Sequence, residues 1–387
     1  MSQHTIIIGG GGIGSAIACF LSGMSAPGDR ITVIERDPSY QTASSSLSAS
    51  SIRQQFSTPV SVQLSQFGWD FMHSCADEAG VPGGAVGLNE RGYLFLGRDG
   101  QAPSLRQRAD GNRALGVPIR EFTPAELAAS YPWMHCDDLA YGAVATAREG
   151  WFDGYMLQQL YRSRARANGV QYLRGEVTRF ETARSKITAA ILADGSRVEG
   201  DRFVNAGGPW SAKVAGSLGI EIPVRARRRT IFVVSCPTPL DGFPILIDAS
   251  GIFVRPEQHH FLCSVVPDEI NNHDDLPLDP DFALFEDVIW PTLAERIPAF
   301  EALRVERAWA GYYEFNTVDH NGLVGQIGPD NFIVATGFSG HGLMHSAGVG
   351  RGVAELLTHG AYQTLDLSPL SPRRLETGQR IVEDAVY

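Results

Sequence analysis

Lysine is almost missing from this chain: Lys186 and Lys213 are the only two among 32 basic residues, and the others are all arginine. Arginine and histidine must therefore carry whatever positive charge a site needs. Cysteine is also sparse. Cys19, Cys75, Cys136, Cys236 and Cys263 are odd in number, widely spaced and without a C-x-x-C pair, which argues against a disulfide framework or a zinc site and fits a reducing compartment. No apolar run reaches about 18 residues, and "MSQH" passes into "TIII" without a charged leader or cleavage site. A cytoplasmic protein with no membrane partner is expected. Basic clusters are absent apart from "RARRR" at Arg225 to Arg229, and the formal charge is -11, so a nucleic-acid partner has no electrostatic footprint. What remains is a small-molecule partner. The 387 residues, 43% apolar and 19% charged, describe an ordered globular chain long enough for two domains.

Glycine is where the chemistry begins. "HTIIIGGGGIGSAIACFLSG" holds a β-branched run, then Gly9-x-Gly11-x-x-Gly14, then Ile13, Ala16, Ile17, Phe20 and Leu21 at helical spacing. Gly9 permits a tight turn, Gly11 lets a pyrophosphate approach the backbone, and Gly14 lets helix and strand pack closely. Gly12 and Ile13 are cofactor-contact candidates beside them, and the positive end of the helix meets the phosphate charge. A second strand, "ITVIER", ends in Glu35 and Arg36, where an acid accepts from ribose hydroxyls. Together these predict a dinucleotide site.

Two later segments choose between dinucleotides. "RFVNAGGPWS" runs a short strand into Ala206, Gly207 and, further on, Trp210. "NFIVATGFSGHGLMHSAGVGRGVAELLTHG" gives a strand, a loop with Gly337, Gly340, His341, Gly342 and Leu343, and a helix with Val349, Val353, Leu356 and Leu357 on one face, ending near Gly360. Three small-residue loops so far apart suit FAD, which a domain must touch along its whole length. Val177 joins these as a cofactor-contact candidate.

With "FVRPE" at Phe253 to Glu257 and "WAGYYEFNTVDHNGLVG" at Trp309 to Gly325, the motifs make the chain resemble the FAD-dependent oxidoreductases of the D-amino-acid oxidase, glycine oxidase and sarcosine oxidase type. "SSIRQQFS" and "GFSGHGL" look most like the sarcosine dehydrogenase-like branch, which also holds an FAD-dependent complex I assembly protein. The resemblance implies an α/β fold: a Rossmann-like FAD-binding domain (residues 1–80, 145–220 and 321–365) interleaved with an α+β substrate domain on a mainly antiparallel sheet (81–144 and 221–320). The tail, 366–387, is expected to be peripheral. "TIFVVS", "GIFVRP" and "HFLCSVV" alternate as strands do, and "PTPLDGFP" and "DEINNHDDLPLDPD" read as loops.

The resemblance also implies hydride transfer from the carbon beside nitrogen to the flavin, followed by imine hydrolysis, with O2 or another acceptor reoxidising the cofactor. An arginine fork suits the substrate carboxylate. Arg53 and Arg255 lead, with Arg229 behind. Tyr313 stands where glycine and D-amino-acid oxidases tend to carry a carboxylate-binding arginine, and Met344 where monomeric sarcosine oxidases carry a lysine; both departures favour a bulkier or N-substituted amino acid. Several oxidases of the family place a lysine over the flavin, but Lys186 and Lys213 lie in segments that look peripheral to the ring, leaving His259, His260, His341 and His345 or an arginine for that charge. His341 is the histidine in the glycine-rich loop. No cysteine follows Cys263 and no histidine lies between His4 and His73, so non-covalent FAD is expected. The small-residue run "ASSSLSASSIRQQFS" follows the ribose-type acid, and Ser44, Ser45, Ser46, Ser50, Ser51 and Ile52 are candidates to lie along the cofactor. Oxidation of a 2-hydroxy acid by the same geometry and a non-catalytic FAD-stabilised binding factor are the alternative readings.

Overall fold

The computed structural model describes residues 2–78, 86–268 and 272–386. The expected boundary at residues 80 and 81, and residues 269–271 of the second loop, lie outside them. The β-branched run forms the strand His4–Ile8 at the centre of a six-stranded sheet. Its parallel neighbours are Arg30–Glu35 and Arg202–Asn205, flanked in turn by Gln171–Arg174 and Phe332–Thr336; Leu323–Gln326 closes one edge antiparallel.

Alternation along the central strand sorts the two faces. Ile7 and Val33 pack under the helices Gly12–Met24 and Gly342–His359, against Ile17, Leu21, Val349 and Val353. Ile6, Ile8 and Ile34 face the other way, against Ile187, Ala190 and Leu192 of a small three-stranded sheet. Gly360 ends the long helix in the left-handed region at φ 74°, the geometry glycine adopts without a Cβ penalty.

An eight-stranded sheet forms the second body. Its order runs Arg304–Asn316, Val224–Ser235, His260–Ser264, Phe253–Glu257, Ile245–Ile247, Tyr93–Gly97, Tyr141–Ala145, Ile119–Phe122, and the pairing is antiparallel except where Ile245–Ile247 lies parallel to Tyr93–Gly97. Phe232 and Val234 point into its own core with Leu246, Val254 and Phe261. Ile231 and Phe253 point to the opposite face, and both line a cavity there. The strand period therefore delivers Arg229, two residues before Ile231, to the same face.

The tail is not peripheral. Glu383 and Ala385 are fully buried: the Glu383 carboxylate accepts from the backbone amides of Ser57 and Thr58, and the side chains of His320 and Asn321 meet the Glu383 and Ile381 carbonyls. Among the described residues no helix is long and apolar enough to cross a membrane.

Candidate functional site

One continuous cavity runs from the Gly9–Gly12 turn to the face of the eight-stranded sheet. At the turn, Gly9 has φ 93°, and a Cβ there would lie 2.4 Å from the Ala206 carbonyl oxygen. A Cβ on Gly14 would lie 1.8 Å from the Gly9 carbonyl oxygen, so this glycine packs the helix onto the turn and does not itself reach the cavity. Gly11 is open: its missing Cβ would meet only Ser45 Oγ, at 3.7 Å. Glu35 is held at the mouth by the amides of Gly10 and Asp37, at 2.7 and 2.9 Å. Beside it the Arg36 guanidinium lies 3.6 Å from the Trp210 ring centre.

Gly9, Gly11, Gly12, Ile13, Glu35 and Arg36 line this end, with Val177, Ala206, Gly207 and Trp210. From the small-residue run come Ser44, Ser45, Ser50 and Ser51, and from the helix start Gly340, His341, Gly342 and Leu343. Ser46, Ile52 and Gly337 do not line it. Ile52 is drawn into the apolar core with Phe56 and Trp69, and Gly337 sits beneath the loop, its amide donating to Glu314 at 3.1 Å. Among the described residues, Tyr40 Oη, Ser45 Oγ and Ser46 Oγ are buried without a hydrogen-bond partner, although such groups are normally satisfied. Tyr40 and Ser45 belong to the cavity wall, and together with the open Gly11 and the two helix starts they fit a bound dinucleotide.

The other end is built on the sheet. Tyr313 is flanked by two guanidiniums: Arg229 stands 5.1 Å from its ring centre, and both Arg229 and Arg53 act on its hydroxyl electrostatically, although burial dominates and raises it above the usual phenol value. Arg229 is 4% exposed. Its Nη1 donates to the Arg228 carbonyl and to Asn272 Oδ1 at 2.8 and 2.9 Å, while Nε and Nη2 have no acceptor among the described residues. Burial pushes its guanidinium down to about 10.

Arg53 is committed differently. It stacks 4.3 Å over Phe56, its Nη1 donates to the Gln55 carbonyl at 3.0 Å, and its Nη2 donates to the Ala385 carbonyl and to His341 Nε2, the latter at 2.9 Å. His341 Nε2 also lies 3.2 Å from the Ala385 carbonyl oxygen, so its role as acceptor or donor follows the tautomer. Burial, reinforced by the Arg53 cation, holds His341 well below the usual imidazole value, and the same causes lower His345 to about 3. Both rings are therefore neutral and neither supplies a cation at the cavity.

Arg255, a leading anchor candidate from the sequence, does not line the cavity. Its Nε and Nη2 donate to the Ala49 carbonyl at 3.2 and 2.8 Å and its Nη1 to the Pro256 carbonyl, so it braces the small-residue run from outside.

Sequence reasoning missed Tyr93, Ile231, Phe253, Ser264 and Glu314, all of which line the cavity. Strand alternation from Arg229 points to Ile231; Glu314 adjoins Tyr313 and had no local signal. Its buried carboxylate accepts from Thr336 Oγ1 at 2.8 Å and the Gly337 amide, and burial raises it to about 7.

Residues 4–356 match the family of FAD dependent oxidoreductases. The chain is 37% identical to FAD-dependent oxidoreductase domain-containing protein 1 of Xenopus laevis, over 98% of this chain and 83% of that one. It is 24% identical to the mitochondrial sarcosine dehydrogenase of Mus musculus, over 93% of this chain and 40% of the longer relative. Among solved structures, L-proline dehydrogenase from P. horikoshii superposes with a TM-score of 0.86 at 24% identity, over 98% of this chain and 99% of that one.

Proposed function

This chain belongs to the FAD dependent oxidoreductase family, and from that premise we propose that it oxidises the C–N bond of an amino acid or N-substituted amino acid, with Arg229 as the anchor for the substrate carboxylate. The observation that carries this reading is the buried Arg229 fork in the cavity wall, whose Nε and Nη2 have no acceptor among the described residues. A desolvated guanidinium with two orphan donors is stabilised most by a carboxylate, which accepts two parallel charge-assisted hydrogen bonds. The names of two relatives, carrying sarcosine and L-proline, support a secondary amine, since both are N-alkylated amino acids.

FAD, when bound, supplies the hydride acceptor. The Gly9–Gly12 turn, Glu35, Tyr40, Ser45 and the helix start at Gly342 would hold it. Arg229 orients the substrate by its carboxylate, and Tyr93, Ile231, Phe253 and Met344 keep water from the reacting carbon. The charges of Arg229 and Arg53 favour the neutral over the protonated amine, leaving the nitrogen lone pair available for imine formation. No charged histidine is needed for that step. In this reading the six-stranded sheet and its helices form the cofactor domain and the eight-stranded sheet roofs the substrate.

Arg229→Ala and Arg229→Lys test the reading. Retained FAD with KM for the substrate raised about 10²- to 10³-fold is expected in the alanine variant, with partial recovery in the lysine variant. A panel of N-alkyl and primary amino acids and 2-hydroxy acids, scored by anaerobic bleaching of the bound flavin, identifies the substrate. Bleaching by 2-hydroxy acids alone, or by no compound, would overturn C–N oxidation, and unchanged KM in Arg229→Ala would remove the anchor.

A further inference from the structure

One wall of the cavity is fixed by a segment more than 300 positions away in sequence. Residues Ile381 to Ala385 form neither helix nor strand, so their polar groups are held from elsewhere in the fold. On one side the turn at 319–321 holds them. Asn321 Nδ2 donates to the Ile381 carbonyl at 2.7 Å, the Glu383 amide donates to the Asp319 carbonyl at 2.9 Å, and His320 Nδ1 contacts the Glu383 carbonyl at 3.1 Å. Asp319 is itself fixed by Arg374, whose Nε and Nη2 donate to it at 2.8 and 3.0 Å. On the other side the Glu383 carboxylate, fully buried, accepts from the amides of Ser57 and Thr58 at 2.8 and 3.2 Å and from Thr58 Oγ1 at 3.0 Å. Those amides open the helix Pro59–Glu78, an end where negative charge is stabilised. The same carboxylate accepts from the Ala385 amide at 3.2 Å, turning that residue so that its carbonyl meets Arg53 Nη2.

We propose that the segment Ile381–Ala385 is a strap lying behind the cavity wall, and that Glu383 is a positioning residue that helps to fix the Arg53 guanidinium by holding the Ala385 carbonyl in place. Arg53 Nη1 is held by its own loop, through the Gln55 carbonyl, whereas Nη2 is held by the strap together with His341 Nε2. From behind, the buried Glu149 fixes that loop by accepting from the amides of Gln54 and Gln55 at 2.6 and 3.2 Å. With the strap displaced, Nη2 loses the Ala385 carbonyl, the guanidinium is held less firmly, and the positive potential at the cavity falls. The inference rests on the reading that this cavity receives a carboxylate.

The test uses FAD-loaded protein, with acetate as the probe and perturbation of the bound flavin's absorption as the measure of its dissociation constant. Glu383→Gln places an amide N–H₂ against two backbone donors and is expected to weaken acetate about tenfold with FAD content unchanged. Arg53→Ala weakens it at least as much, and Glu383→Gln adds less than twofold on the Arg53→Ala background, because one residue acts through the other. Crystal structures of Glu383→Gln and of the milder Glu383→Asp then show the guanidinium turned away from the Ala385 carbonyl. Independent, multiplicative losses in the double variant, or an unmoved Arg53 in both structures, would overturn the proposal. If Arg229→Ala leaves acetate binding intact while Glu383 and Arg53 remain coupled, the anchor fails and the strap stands.

Discussion

Glu314 shows what one buried carboxylate does to the pH response of this protein. It joins two loops beneath the cavity: it accepts from Thr336 and Gly337, and Thr336 Oγ1 also reaches Ser211 Oγ at 2.7 Å, at the end of the Gly207 loop. Burial raises it to about 7 against an ordinary 4.5. Between those values the folded chain keeps a proton that the unfolded chain releases. Stability from this group is therefore complete below about pH 4.5 and lost as pH rises through about 7, by up to about 3 kcal/mol. Glu314→Gln keeps an acceptor for Thr336 and Gly337 but cannot ionise. Urea unfolding at pH 5 and pH 8 should show a smaller fall in the variant than in the native chain, with the difference assignable to position 314; equal falls in both would mean that Glu314 is already ionised when folded. Glu149, also raised to about 7 by burial, contributes with the same sign in both proteins and cancels from the comparison.

At the scale of elements, the helices Gly12–Met24 and Gly342–His359 cross at small residues. A Cβ on Gly350 would lie 2.8 Å from the backbone carbon and the Cβ of Ala16, so the contact is closed by main chain that has no room to yield. Gly350→Ala should cost about 1–3 kcal/mol, read from the urea midpoint at unchanged m-value. Gly111, inside the helix Ala102–Ala114, has nothing within 4 Å of its missing Cβ, and Gly111→Ala should stabilise by about 0.5–1 kcal/mol. Both glycines lie inside helices, and the sequence cannot tell them apart, since the difference lies in a partner more than 300 residues away. The Gly9 turn was legible because its constraint is local: a positive φ, and a Gly14 that must clear the Gly9 carbonyl five residues back. Strand alternation was legible for the same reason. The ranking of arginines was not. Arg255 and Arg229 both lie on strands of one sheet, and what separates them is the Ala49 carbonyl, reached across 206 positions, which satisfies one fork and leaves the other open. The burial of the tail likewise depends on acceptors and donors at residues 57–58 and 319–321 that no local pattern in "IVEDA" announces.

Across the whole molecule, the cavity is where the two large sheets meet, walled by the Gly9 turn and Trp210 on one side and by Tyr312, Tyr313 and Ile231 on the other. A ligand filling it touches both bodies, so its binding energy is added to the stability of the assembled chain, about 2.7 kcal/mol when free FAD is a hundredfold above its Kd. The wall also bears on how FAD is attached. Among the described residues no cysteine lines the cavity, and the histidine that does, His341, has Nε2 engaged by Arg53. The contacts that the cavity wall offers are hydrogen bonds and helix-end charge, all of which disappear on unfolding. Acid or heat denaturation of the loaded protein should therefore release the whole flavin into the supernatant. The unfolding free energy of the same preparation should rise with added FAD at the slope expected for one reversible site. Yellow colour retained on the precipitated chain, or a stability indifferent to FAD concentration, would show a covalent bond that these residues do not suggest.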